Sequence, residues 1–259
     1  FDLPNVSEDT INKVVQQLFN TFIQAFEDLG SPPTAAMQAV LLPTLYAVLL
    51  KPNGTLYDLY RFMDDKSNAD LIEFGKQLNN RGMADFFHRK FKSPEMRVSK
   101  EGLETRLFRL IGNSSFANLI FGKTTIDLQK EMDERKLIVF NLSKGKLGPD
   151  FSKIYGRFII TTTLNIILAR ADIPLEQRTP THIYIDEFHN YITQTIKEIF
   201  TEGRKYGGFL TVATQTIGQD MSTEFKDVIL GNTFVKIIGS AGAKSRREMQ
   251  AEMEIDDET

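Results

Sequence analysis

His182-Ile-Tyr-Ile-Asp-Glu-Phe-His-Asn190 decides the fold class of this chain. A short apolar run ends in two adjacent carboxylates, Asp186 and Glu187. Read as a strand, it sets both acids at the carboxyl edge of a sheet, where α/β folds bind ligands. A nucleotide hydrolase needs this arrangement in its Walker B element. The first acid, Asp186, holds the Mg²⁺ shell, and the second, Glu187, polarises the attacking water. The plainer alternative is a strand that happens to end in exposed acids, which any surface loop can supply.

The residues on either side extend the α/β reading. Upstream, Lys136-Leu-Ile-Val-Phe-Asn-Leu142 is β-rich and apolar, and the loop Ser143-Lys-Gly-Lys-Leu-Gly-Pro149 follows it. Phe151 to Ala171 has a long helical pattern. Downstream come a helix over Thr193–Tyr206, a strand Phe209-Leu-Thr-Val-Ala213, a helical piece over Ser222–Ile229 and a strand Thr233-Phe-Val-Lys-Ile-Ile238. Strands alternating with helices predict right-handed crossovers and a largely parallel sheet buried on both faces.

Two further polar residues fall where such a site needs them. Gln215 ends the strand after the acidic one, where an amide can contact a γ-phosphate or the attacking water. Arg204 closes the intervening helix, where a guanidinium can reach a neighbouring subunit's nucleotide as an arginine finger. Taken singly, Arg204 reads as a solvated surface residue and Gln215 as a strand-end hydrogen bonder. His189 reads as a surface or supporting residue rather than a ligand.

The first half has another texture. Ile11, Val14, Val15, Leu18, Phe19, Phe22, Ile23 and Phe26 follow the i, i+3, i+4, i+7 spacing of an amphipathic helix over Asp9–Leu29, with Ser7 or Asp9 as N-cap and Gly30 as its stop. Ser31-Pro32-Pro33 breaks the chain. Ala35 to Leu50 is wholly apolar in character, but its 16 residues fall short of the roughly 20 that cross a bilayer, and Pro43 sits inside it. A buried helix pair or a kinked buried helix is the expectation. Shorter helical patterns follow as far as Ile111, divided by Gly, Pro and Asn.

Composition bounds the partners. The 259 residues are 41% hydrophobic and 25% charged, with 31 Lys+Arg against 34 Asp+Glu and a net charge of -3. This is globular, and it gives no overall pull toward nucleic acid or anionic membrane. The chain has no cysteine and three histidines, so thiolate chemistry is excluded and a histidine-built zinc site disfavoured. The last eight residues hold five acids and read as a solvated end. Locally, Arg81, Arg89, Lys90, Lys92, Arg97, Lys100, Arg106 and Arg109 outnumber four acids. That cluster is either a solvated face or a contact for DNA phosphates. Phe86, Phe87 and Phe91 within it read as core rather than as base-stacking platforms. Lys144 and Lys146 are a second candidate DNA contact.

The strings YIDEFHNY and IFTEGRKYGGFLTVATQTIGQ resemble the ATPase domain of type IV secretion and conjugative DNA-transfer coupling proteins, the TraG/TraD-like members of the HerA/FtsK class of ring translocases. KLIVFNLSKGKLG is similar to the strand and loop before Walker B in that family, and ILGNTFVKIIGSAG to the strand after it. TLYDLYRFM and the stretch to GKTTIDLQKEM resemble its inserted all-α domain. The resemblance implies the C-terminal part of a RecA-like P-loop NTPase core, α/β with a mainly parallel sheet, carrying an all-α domain in the first half. It divides the chain into a core-linking helix (1–30), an all-α domain (31–130) and the Walker B half of the core (131–259). It further implies ATP and Mg²⁺ as cofactors and DNA plus relaxosome or secretion-channel proteins as partners. A homohexamer at the cytoplasmic face of the inner membrane, anchored by segments absent from this chain, is also implied. The related alternatives are a secretion ATPase powering pilus assembly or protein export, and a non-catalytic docking module.

The phosphate loop GxxxxGK[ST] is missing. Phe121-Gly122-Lys123-Thr124 supplies GKT, but Ala117 stands where the first glycine belongs, and the resemblance aligns this stretch with a loop leaving the helical domain. Lys144-Gly145-Lys146 fails because Leu147 replaces the hydroxyl residue. The opening Phe-Asp-Leu-Pro reads as the middle of a longer polypeptide. The expectation is therefore a chain that begins after its own phosphate loop and, alone, hydrolyses ATP poorly or not at all. A ring member that never had such a loop is the rival.

Overall fold

A computed structural model describes residues 8–114, 117, 126–215, 221–239, 242, 246–247, 249–250 and 253. The opening residues, the GKT string, the end of the Gln215 loop at 216–219 and most of the acidic tail lie outside the described residues. Contacts divide the chain into two units: residues up to Asp127 with Phe140–Phe158, and Leu128–Val139 with everything from Ile159 onward.

The first unit is helical. α1 (Glu8–Asp28) forms where the periodicity places it and buries Val14, Val15, Leu18, Phe22 and Phe26. It ends at Gly30, whose φ of 67° is free for a residue without Cβ. There the Gly30 and Ser31 amides bond back to the Glu27 and Phe26 carbonyls at 2.8 and 2.9 Å. α2 (Ala35–Leu50) is one unbroken helix with Pro43 inside it, capped by Thr34, whose hydroxyl accepts the Met37 amide. It is apolar on every face from Val40 to Leu49 because that part is enclosed: α1, α3 (Leu56–Met63), α4 (Ala69–Lys76) and α6 (Arg97–Ile111) all pack on the helix. Among the described residues no helix is long and apolar enough to cross a membrane.

α5 (Arg81–Asp85) runs into a wide π turn over Phe86–Lys90, closed by the Phe91 amide on the Phe86 carbonyl at 2.9 Å. The turn sends Phe87 and Phe91 into the core against Phe62, with ring centroids 5.4 to 5.7 Å apart. These rings are core and not stacking platforms. Much of the basic cluster is also spent internally. Lys100 is buried, with its ammonium 2.6 Å from both Asp65 oxygens. Arg106 donates to the Ser31 and Pro32 carbonyls at 2.7 and 3.0 Å, and Arg109 to the Ser31 hydroxyl at 2.7 Å. A short turn, α8 (Lys144–Leu147), and the first half of α9 (Pro149–Leu168) complete this unit. Here the Arg157 guanidinium pairs with Asp28, and the Phe158 ring stands edge-on to Phe22 at 5.1 Å.

The second unit holds α7 (Leu128–Asp133), the rest of α9, β1 (Thr181–Ile185), α10 (Gln194–Glu202), β2 (Gly208–Val212) and α11 (Thr223–Asn232). β1 and β2 are parallel, with Thr181 opposite Gly208 and Ile185 opposite Val212. Thus the chain is α/β in a loose sense, mainly helical with a two-stranded parallel sheet. Two expected strands do not form. Lys136–Leu142 and Thr233–Ile238 join no ladder, and several of their apolar side chains lie open, with Leu137 at 92% exposure, Ile237 at 92% and Phe234 fully exposed, while Ile138, Phe140 and Leu142 are half-buried. A β-prone run becomes a strand only when a neighbour takes its hydrogen bonds, and no described segment pairs with these two.

Candidate functional site

β1 leaves the sheet by an abrupt turn. Ile185 is buried, Asp186 is exposed, and Glu187 takes a left-handed conformation with φ 50° and ψ 42°. For a residue with a side chain that backbone costs about 1–2 kcal/mol, so the surroundings must enforce it. They do so from three directions. The Ala213 amide donates to the Ile185 carbonyl and the Phe188 amide to the Ala213 carbonyl, both at 2.9 Å, which continues the sheet past the kink. Phe188 is fully buried, edge-on to Phe200 with centroids 5.9 Å apart. Asn190, also buried, donates both its backbone and its side-chain N–H to the Glu187 carbonyl at 3.0 Å.

The kink turns the Glu187 side chain toward the end of β2. Gln215 Nε2 donates to Glu187 Oε1 at 2.8 Å. His189 Nε2 lies 3.5 Å from Glu187 Oε2, and Thr214 Oγ1 lies 3.5 Å from His189 Nδ1. Asp186 Oδ1 accepts the Glu187 amide at 2.8 Å. The helices beneath this edge are tied together by an ion pair between Lys197 on α10 and Glu224 on α11. The hydrogen bond from Lys197 holds the Glu224 carboxyl below the usual carboxylate range.

The structure therefore brings together Asp186, Glu187 and Gln215, from the ends of two adjacent strands. Arg204 is placed elsewhere. It lies in the turn that precedes β2, so in a parallel pair it stands at the opposite, amino edge of the sheet. Five residues of strand separate the two edges, about 16 Å. That turn is fastened to the segment before β1 by Arg178, which donates to the Lys205 carbonyl and stacks on Tyr206 with its guanidinium 5.4 Å from the ring centroid. Arg204 itself is exposed. Within one chain it does not reach Glu187.

The basic candidates belong to the first unit. Lys144 and Lys146 are exposed on the four-residue turn α8, a helical turn where a loop after a strand is expected. Arg89, Lys90 and Lys92 project outward from and just beyond the π turn. Arg89 lies 3.7 Å from Asp85 in an exposed pair.

Among the described residues no group of three acids or histidines could cage a metal ion. Mg²⁺ does not require one, since it keeps several waters and binds through one or two carboxylates plus substrate phosphates. Exposed Asp186 fits that role. Thr214 and Asn190 are site residues that the sequence reading passed over. The one signal for Thr214 is its place beside Gln215, and Asn190 carries none apart from lying three residues beyond Glu187.

Compared with protein families, with curated proteins and with solved structures, the chain matches none of them.

Proposed function

We propose that this chain supplies the Walker B half of a RecA-like motor core, in an ATP-driven DNA translocase of the conjugative or type IV secretion coupling type. The observation that carries the proposal is Glu187: a carboxylate in a left-handed kink at the carboxyl edge of β1, held at 2.8 Å by an amide from the end of β2. Backbone strain of this kind collects at sites of chemistry.

The roles follow from position. Glu187 is the general base that takes a proton from the attacking water. Asp186, exposed beside it, would hold Mg²⁺, which would supply charge neutralisation for the phosphates of ATP. Gln215 bonds Glu187 through its amide N–H, and its carbonyl oxygen is an acceptor for the same water, which lets it link the base to the γ-phosphate. Arg204, at the far edge, acts only on a neighbouring subunit's nucleotide, which requires a ring, taken as a homohexamer at the cytoplasmic face of the inner membrane. Lys144, Lys146, Arg89, Lys90 and Lys92 are the DNA contacts of the proposal. The 259 residues contain no GxxxxGK[ST] string, so the proposal includes a phosphate-holding loop supplied by polypeptide beyond them.

The test is ATP hydrolysis by the full-length protein. Turnover is expected to be stimulated by DNA and to fall by at least about a hundredfold in Glu187→Gln. Turnover unchanged by that substitution overturns the assignment. Hydrolysis stimulated by a secreted protein and indifferent to DNA selects an export motor. No hydrolysis at all selects a docking module.

A further inference from the structure

We infer that His189, fixed by Thr214, is the positioning residue of the Glu187 carboxylate. The inference deepens the proposed function and rests on its assignment of Glu187 as base. The imidazole side chain is 19% exposed and stands between two groups, with Thr214 Oγ1 on Nδ1 and Glu187 Oε2 on Nε2, each at 3.5 Å. A neutral imidazole carries one N–H and one acceptor nitrogen, and the partner of one nitrogen decides the state of the other. A carboxylate only accepts. In the neutral ring Nε2 then carries the proton that faces Glu187, and Nδ1 accepts the Thr214 hydroxyl proton.

The consequence is a carboxylate held at both ends. Gln215 donates to Oε1 and His189 faces Oε2, so rotation of the group about its terminal bond is blocked from two sides. Each oxygen has room for two donors, which leaves an acceptor site for water on a carboxylate whose plane is set. Catalytic hydrogen bonds are often long before substrate binds and tighten only in the complex.

Kinetics of the full-length protein test this, with Glu187→Gln measured beside every variant. His189→Ala is expected to lower kcat about tenfold or more while leaving the KM for ATP and the melting temperature in place, since a misplaced base slows chemistry without weakening binding. His189→Gln, whose neutral amide N–H can occupy the Nε2 position, is expected to return kcat to within about threefold of the parent. Thr214→Val is expected to lower kcat when His189 is present and to add nothing to His189→Ala. A full kcat in His189→Ala, with Glu187→Gln inactive, overturns the role of His189 alone. If Glu187→Gln is active, or the parent is inactive, the base assignment and this inference fail together.

A second measurement needs no turnover. With three histidines in the chain, ¹⁵N-labelled imidazoles can be assigned individually. His189 is expected in the Nε2–H form, and to keep it in Thr214→Val, where Glu187 still faces Nε2. A dominant Nδ1–H form overturns the inference.

Discussion

Substitution of Glu187 by glycine and by alanine separates the backbone of the kink from the chemistry of its side chain. Both variants lose the carboxylate, the bond from Gln215 and the approach of His189, so these losses cancel in the comparison. What remains is the left-handed conformation at φ 50° and ψ 42°. Alanine there bears a strain of about 1–2 kcal/mol, which glycine escapes. Glycine in turn loses roughly 0.5–1 kcal/mol more chain entropy on folding. The balance leaves Glu187→Gly more stable than Glu187→Ala by about 0.5–1 kcal/mol, a difference of about 2–6 °C in melting temperature for a unit near 100 residues. Scanning calorimetry or urea unfolding of the two variants side by side reads it. In a right-handed turn the order reverses, because alanine is then the better residue by up to about 1 kcal/mol. An alanine variant more stable than the glycine variant refutes the kink.

Two predictions concern the helical unit. At Gly75 in α4 an added Cβ would lie 2.5 Å from the Phe87 ring, so Gly75→Ala is expected to destabilise by about 1–3 kcal/mol in denaturant unfolding despite its gain in helix propensity; an unchanged midpoint refutes the close packing of α4 on the π turn. Tyr46, Tyr60 and Tyr155 all ionise above the ordinary value of 10.0, first because burial disfavours the phenolate and, for Tyr46 and Tyr60, also because Glu8 and Glu104 lie near them. A raised folded value means the folded state holds its proton longer, so this contribution is whole below pH 10.0 and is lost as the pH rises above it. Unfolding midpoints should fall over that range, and fall less in Tyr46→Phe; equal slopes in the two proteins refute the placement of Tyr46.

Periodicity alone located most of the helices. The stripe from Ile11 to Phe26 gave α1 to within a residue at each end, and Gly30 marked its stop because a left-handed cap favours glycine. Ala35–Leu50 was legible as buried from its length and from Pro43. Strands were harder. His182–Ile185 and Phe209–Ala213 became β1 and β2, whereas Leu137–Phe140 and Phe234–Ile238 share their composition and form no ladder. Local propensity describes what a segment can do, and pairing depends on which other segment stands beside it. At the site, the two carboxylates and Gln215 were legible from their place at strand ends. The left-handed turn at Glu187 was not, since no glycine announces it and the restraint comes from Asn190 and Phe188. Charge is less legible: a run of lysines and arginines does not reveal that Lys100 pairs with Asp65, or that Arg106 bonds the carbonyls of Ser31, Pro32 and Gly102.

The two unpaired β-prone stretches bear on how this chain behaves in concentrated solution. Leu137–Phe140 and Phe234–Ile238 are short and apolar, the first with Leu137 and Val139 open and the second open along most of its length, a combination that pairs edge to edge with another copy and nucleates aggregates. Natural sequences restrain such stretches with flanking charges. Here Lys136 precedes the first, but Glu131 and Glu134 lie 2.9 and 2.7 Å from its ammonium and offset its charge. The second has Lys236 at its centre. Handled alone, the 259 residues carry two adhesive tapes with thin electrostatic protection.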